Sequence, residues 1–259
     1  MPQQDLTVSL LQQPLHWQDP VANRQLFGGL IKTEAAGSDL IVLPEMFTAG
    51  FSMDTRKVAE SPQGPTLEWM AAQAAASQAV ITGSYAVNTG TGIVNRLVWM
   101  RPDGSHVHYD KRHLFRMAGE HERYSSGDKR IIVELNGWRC CPLICYDLRF
   151  PVWCRNRGDY DLLLFVANWP AARAHHWRAL LRARAIENLS VVIGVNRVGV
   201  DGKGHQYQGD SIALDAEGQA LVEPRAAVGV HSATCSAAAL NAYRQRFPAH
   251  LDADSFSFD

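Results

Sequence analysis

Short apolar runs alternate with segments of helical period along this chain. Residues 6–11 form one such run, and residues 20–36 carry Val21, Leu26, Leu30 and Ile31 near helical spacing before Gly37, which predicts a strand followed by a helix. Residues 39–45 are apolar from Leu40 to Leu43 and end in Pro44 and Glu45, the pattern of a strand covered on both faces with a carboxylate at its C-terminal end. Residues 46–65 are rich in Gly, Ser, Thr and Pro, with Phe47, Phe51 and Met53 interspersed, and a loop of that length is read as the wall of a pocket. A helix over 66–78 and strands over 79–87, 94–101 and 106–109 follow, parted by turns at 88–92 and 102–104. The polar residues 116–130 have no period and are expected to be a loop of the kind that holds functional groups on a rigid scaffold.

Residues 131–135 and 138–144 flank Asn136-Gly137, a strong hairpin signal, and the second strand ends at Cys145. Asp147 and Pro151 favour the start of a helix, so Cys145 is predicted to sit at a strand-to-helix elbow, where the helix dipole biases a thiol toward thiolate. The alternation then resumes. A strand is expected over 161–167, a helix over 174–188 with Leu180, Leu181 and Ile186 inward, and a strand over 190–196. A glycine-rich loop over 197–208, strands over 211–214, 219–222 and 228–234, and a helix over 236–247 complete the pattern. These elements predict an α/β fold of mixed sheets with helices outside. Residues 1–248 read as a single domain, and the acidic residues 249–259 as a tail that is disordered or draped on a neighbour.

Composition narrows the function. With 259 residues and 46% hydrophobic content the chain can bury a substantial core. A net charge of −1 offers no basic field for nucleic acid or an anionic membrane, which leaves a small molecule as the expected partner. Cys140, Cys141, Cys145, Cys154 and Cys235 form an odd set without framework spacing, which points to reduced thiols in the cytoplasm. There is no basic leader, and no apolar stretch long enough to span a membrane, so a soluble intracellular protein is expected.

Several familiar chemistries lack their residues. No Gly-x-Ser-x-Gly elbow or Walker phosphate loop occurs, and Gly202-Lys203-Gly204 fails the dinucleotide pattern because Tyr207 stands where glycine is needed. Cys140, Cys141 and Cys145 with His175 and His176 contain no Cys-x-x-Cys pair, and adjacent strand residues point to opposite faces, so neither a metal nor any other cofactor is expected. What remains is an acid, an amine and a thiol, Glu45, Lys111 and Cys145, each following a strand, and ligands of α/β sheets gather beyond those strand ends. Taken singly, Glu45 is also readable as a helix-start charge, Lys111 as a solvated amine and Cys145 as a small core residue.

Together, Leu43-Pro44-Glu45-Met46-Phe47, Tyr109-Asp110-Lys111-Arg112-His113-Leu114-Phe115 and Cys145-Tyr146-Asp147-Leu148-Arg149-Phe150-Pro151 resemble the glutamate, lysine and cysteine motifs of the nitrilase (carbon-nitrogen hydrolase) superfamily, in the family order. Ala167-Asn168-Trp169-Pro170, His176-Trp177 and residues 183–188 extend the resemblance, which is to the omega-amidase branch. It implies a four-layer α-β-β-α sandwich, a Glu45-Lys111-Cys145 triad and hydrolysis of the terminal amide of short dicarboxylic monoamides such as 2-oxoglutaramate and 2-oxosuccinamate through a cysteine thioester. It also implies a second glutamate beside the lysine, for which Glu120 suits the family spacing better than Glu122, an oxyanion held by the backbone N–H of Tyr146, and a homodimer paired through residues 150–157. Arg149, one turn beyond Cys145, is the candidate for a substrate carboxylate, with Phe51 and Trp169 as further contacts; a pair of Arg149 with Asp147 or Glu187 that merely fixes the elbow is the alternative. The same residues would serve an acyltransferase, which ammonia release in buffer excludes, whereas a non-catalytic binding protein would show no selective alkylation of Cys145.

Overall fold

In the computed structural model, which describes residues 1–257, two six-stranded sheets face each other. The first half runs β1 (Leu6–Gln12), α1 (Pro20–Glu34), β2 (Leu40–Val42), α2 (Thr55–Val58), α3 (Pro65–Ser77), β3 (Val80–Asn88), β4 (Ile93–Met100) and β5 (His106–Asp110). The second runs β6 (Val133–Leu135), β7 (Trp138–Ile144), α4 (Pro151–Cys154), β8 (Leu162–Ala167), α5 (Ala174–Asn188), β9 (Val191–Asn196), β10 (Val198–Val200), β11 (Gln206–Gln208), β12 (Ser211–Leu214), β13 (Ala220–Arg225), β14 (Gly229–Cys235) and α6 (Ala237–Arg246). The sheet orders are β14-β1-β2-β3-β4-β5 and β13-β12-β9-β8-β7-β6. Each has three parallel strands at its centre and antiparallel strands outside them.

Alternation within single strands builds the layers. Leu6, Val8 and Leu10 of β1, with Leu40 and Val42 of β2, enter the core between the sheets, whereas Leu11, Ile41 and Leu43 enter a second core with Phe27, Ile31, Met70 and Ala74 of α1 and α3. Both faces of β2 are thus dry, which is why it is apolar throughout, whereas β1 carries the buried Ser9, which is paired with Ser38 and Ser232. Trp177, Leu181 and Ala185 of α5 cover the other sheet. The result is the expected α-β-β-α sandwich.

Some local expectations need correction. The inward face of α1 is Asn23, Phe27 and Ile31, with Val21 exposed. Asn23 is buried because its amide spans His16 and the carbonyl of Thr48, a role that apolar periodicity does not register. On α5, Ile186 is exposed; at 100° per residue it lies about 140° around the helix from Leu181. Residues 46–65 contain the short helix α2, and residues 197–208 are the hairpin β10–β11, whose three-residue strands are too short for a pattern to show. The helix expected over 150–157 is only Pro151–Cys154. Of the tail, Ala249–Asp252 forms a 3-10 turn, and residues 258 and 259 lie outside the described residues. Among the described residues no helix is long and apolar enough to cross a membrane, and no group of three His, Cys, Asp or Glu side chains is placed to hold a metal.

Candidate active site

Strand direction brings the chemistry to one end of the sandwich. Glu45 follows β2, Cys145 follows β7 and Asn168 follows β8; β2 and β8 are parallel to both of their neighbours, and β7 is parallel to β8 and antiparallel to β6. Two antiparallel steps from β3 through β4 return β5 to the same direction, so Lys111 emerges there as well.

Glu45, Lys111 and Glu120 are fully buried. Lys111 Nζ donates to Glu45 Oε1 at 2.8 Å and to both oxygens of Glu120 at 3.1 and 3.0 Å. Asn95 Nδ2 donates to Glu45 Oε1 at 2.9 Å, and the backbone N–H of Asn168 to Oε2 at 2.8 Å. Glu120 is itself fixed by the N–H of Phe115 at 2.6 Å, and the Phe51 ring covers the ammonium at 5.1 Å. Burial works against the charge on Lys111, but Glu120 and Glu45 outweigh it and hold the amine above its ordinary value. Burial raises Glu120, with Lys111 opposing.

Cys145 takes φ +43°, an uncommon conformation for a residue with a side chain, costing of order 1 kcal/mol. Asp147 holds that corner. Its Oδ2 accepts from the Ile144 N–H at 3.0 Å and from Tyr109 Oη at 2.7 Å; its Oδ1 accepts from the His113 N–H at 3.0 Å and lies 2.8 Å from His113 Nδ1. From the other side, Arg184 donates to the Leu148 carbonyl at 2.7 Å. Asp147→Asn keeps the shape but replaces an acceptor by a donor, so a loss of about 2–3 kcal/mol is expected in urea unfolding, together with reduced turnover as the thiol loses its aim. A variant as stable as the parent would remove Asp147 from this role.

The thiol itself corrects an expectation. Cys145 opens a five-residue 3-10 turn ahead of the four-residue α4, so no long helix points its dipole at the sulfur. Burial, then the charge of Glu45, push Cys145 well above the ordinary thiol value, and Lys111 only partly offsets them. Burial and the Glu45 charge thus favour the thiol form of Cys145 over the thiolate.

These groups floor a pocket of about 210 Å³. Phe51, Phe115, Tyr146, Arg149, Trp169, Arg173, Lys203 and Tyr207 are among its walls. Arg149 forms neither of the pairs considered for it. Asp147 is taken by Tyr109 and His113, and Glu187 by Arg184, while the Arg149 guanidinium lies 4.8 Å over the Trp169 ring with Nη2 at 3.0 Å from His176 Nδ1. Trp169 is held in turn by Asn196, whose Oδ1 accepts from its N–H at 2.8 Å. Of the candidate site residues, Lys111 and Cys145 line the base of the pocket, Glu45 and Glu120 lie behind it bonded to Lys111, and Tyr146, Arg149, Phe51 and Trp169 stand around it. Sequence reasoning gave no role to Asn95, Arg173 or Lys203, placed Asn168 only within a motif, and read Asp147 as a helix start or a partner of Arg149. Asn95 had one signal, a polar residue on the buried face of a mostly apolar strand, where it demands a partner.

A thiol, a carboxylate and an ammonium lie buried together behind an aromatic-walled cleft. The chain matches the family described as carbon-nitrogen hydrolase over residues 7–245, and it belongs to that family. It is 53% identical over 253 residues to the omega-amidase YafV of Yersinia enterocolitica, covering 97% of this chain and 98% of that protein. It is 32% identical over 222 residues to the 2-oxoglutaramate amidase of Bacillus subtilis (strain 168), covering 84% and 85%. Among solved structures it resembles XC1258 from Xanthomonas campestris, a CN-hydrolase superfamily protein with an arsenic adduct in its active site, at a TM-score of 0.97 and 53% identity, covering 99% of this chain and 100% of that one.

Proposed function

We propose that this protein is an omega-amidase that hydrolyses the terminal amide of short dicarboxylic monoamides, 2-oxoglutaramate and 2-oxosuccinamate, to the acid and ammonia. The observation that carries the reading is the polarity of the pocket. Its base holds a charge-compensated cluster, Lys111 between Glu45 and Glu120, whereas its walls present Arg149, Arg173 and Lys203, of which the two arginines rest on aromatic rings, Trp169 and Phe115, rather than on carboxylates. An amide enters toward the base and its distal carboxylate meets the cations. The likeness to proteins named omega-amidase and 2-oxoglutaramate amidase supports the same choice.

In this reading Glu45 takes the proton of Cys145 as sulfur attacks the amide carbon. The new oxyanion is stabilised by the Tyr146 N–H and the Lys111 ammonium. Glu45 returns the proton to the departing ammonia, a thioester remains, and water activated by Glu45 releases the acid. Glu120 keeps Lys111 aimed and charged. Ammonia release tests the proposal: the two keto-monoamides are expected to exceed neutral short amides of the same length by at least about tenfold in kcat/KM. Equal rates, or none on any ω-amide, would refute it.

Arg149→Gln should lower kcat/KM for 2-oxoglutaramate about a hundredfold, the loss expected for a charge-assisted contact of ~3 kcal/mol, and leave a neutral short amide almost unchanged. Equal losses on both substrates would return Arg149 to a structural part. A cytoplasmic homodimer, paired through the segment 150–157 where Val152 is exposed, completes the proposal; light scattering at micromolar concentration that finds a 28.7 kDa particle would refute the dimer.

A further inference from the structure

Arg197, the first residue after β9, is fully buried. A guanidinium out of water is costly unless a carboxylate pairs with it, and replacing such a group by an apolar one often stabilises a fold. Here Nε donates to the Val198 carbonyl at 3.1 Å and Nη2 to the Val200 carbonyl at 3.2 Å, the Tyr207 ring lies 4.7 Å from the guanidinium carbon, and Nη1 has no acceptor among the described residues. Burial lowers its basicity, with Tyr207 and Asp201 opposing. Stability of the sandwich does not account for a charge kept on these terms.

All three contacts reach one element, the hairpin β10–β11. The turn of that hairpin is organised by Asp201, whose Oδ1 accepts from the N–H groups of Lys203 and His205 at 2.8 and 2.9 Å and whose Oδ2 accepts from Tyr207 Oη at 3.0 Å. Its tip is seated on Trp17, since a Cβ at Gly202 would lie 2.3 Å from the indole. Its residues Asp201 and Tyr207, which are buried, and Lys203 and His205, which are exposed, form one wall of the active-site pocket. The hairpin has little packing of its own, with three residues per strand, so its position depends on what grips it.

The geometry points to Arg197 as a positioning residue that, through the Val198 and Val200 carbonyls and the Tyr207 ring, sets where Lys203 and His205 stand against the far, anionic end of the substrate. It touches neither the substrate nor the reacting atoms. This inference rests on the reading of an anionic ω-amide substrate, and its test avoids turnover so that the two can fail separately.

The probes are 5-oxohexanoate, which matches the length of 2-oxoglutaramate with a ketone in place of the amide, and the neutral 2-hexanone. Each is used to protect Cys145 from alkylation by iodoacetamide. The parent protein should be protected by 5-oxohexanoate at lower concentration than by 2-hexanone. Arg197→Lys keeps the charge but loses the fork that spans two carbonyls, and Gly202→Ala lifts the tip from Trp17. Both variants should raise the half-protecting concentration of 5-oxohexanoate about tenfold while that of 2-hexanone and the unprotected alkylation rate stay within about threefold. Unchanged protection with only a lowered melting temperature, or equal weakening for both ketones, would overturn the proposal. So would a parent that does not prefer the anionic ketone. If Arg197→Lys does not fold, Gly202→Ala decides on the same criteria. Failure of ammonia release with protection intact would sink the substrate assignment and leave the hairpin's role standing.

Discussion

Cys145→Ser is expected to fold as the parent does and to lose at least about a thousandfold in kcat. The volume change is small and the φ +43° corner is held by Asp147 and Arg184, not by the sulfur, so the melting temperature should move little. The chemistry does not survive. Already the thiol is pushed well up by burial and by Glu45, and a serine hydroxyl, several units less acidic, cannot be deprotonated by the same carboxylate at a useful rate. Retention of more than a few per cent of turnover, with the variant's mass verified, would remove Cys145 as nucleophile.

Lys111→Met should abolish turnover and also make stability depend on pH. The parent buries one ammonium between two carboxylates, all three fully out of water. Deleting the cation strands Glu45 and Glu120 face to face, a loss of about 3–5 kcal/mol at neutral pH. The pair can relieve this only by keeping a proton, so its folded pKa rises above the ordinary ~4.3 of an unfolded glutamate. Between those two values the native state binds more protons than the unfolded one, and stability therefore falls as pH rises. In the parent, Glu120 already carries that sign in the acid range, and Lys111, held above its ordinary value, carries it in the alkaline range, contributing stability that is fully present below about pH 10 and lost beyond it. Urea unfolding of the variant at pH 5 and pH 8 reads the slope. An equal deficit at both would mean that the carboxylates do not share a proton.

The parts of this molecule legible in its sequence are those in which one chemical property decides the outcome. Asn136-Gly137 turned as expected because both positions need positive φ, and they take +50° and +80°. Glu45 and Cys145 were legible because each follows an apolar strand, and Lys111 because it follows a strand within a motif in the family order. Their environment was not. The resting state of Cys145 depends on the length of the helix after it and on how deeply the opposite sheet covers it, and neither is local to the motif. Asn168 was visible as part of a motif but not as the donor to Glu45 from 123 residues away. The hairpin at 198–208 was hidden for a different reason: strands of three residues carry no measurable period, and what holds them is a buried arginine, a residue type that composition-based reading assigns to the surface.

Glu45 and Cys145 stand on different sheets, and the sheet that carries Glu45 is closed by β14, which lies beside β1 although more than two hundred residues separate them in the chain. A chain emerging from the ribosome therefore displays Glu45, Lys111 and Cys145 long before it can bring them together, and pairing across such separations is slow. During that interval Cys145 is an ordinary solvated thiol, more acidic than in the finished protein and open to oxidants. Completion of the last strand assembles the hydrolase and leaves the mouth of the pocket as the one approach to the sulfur among the described residues, so exposure to oxidants is broadest during synthesis.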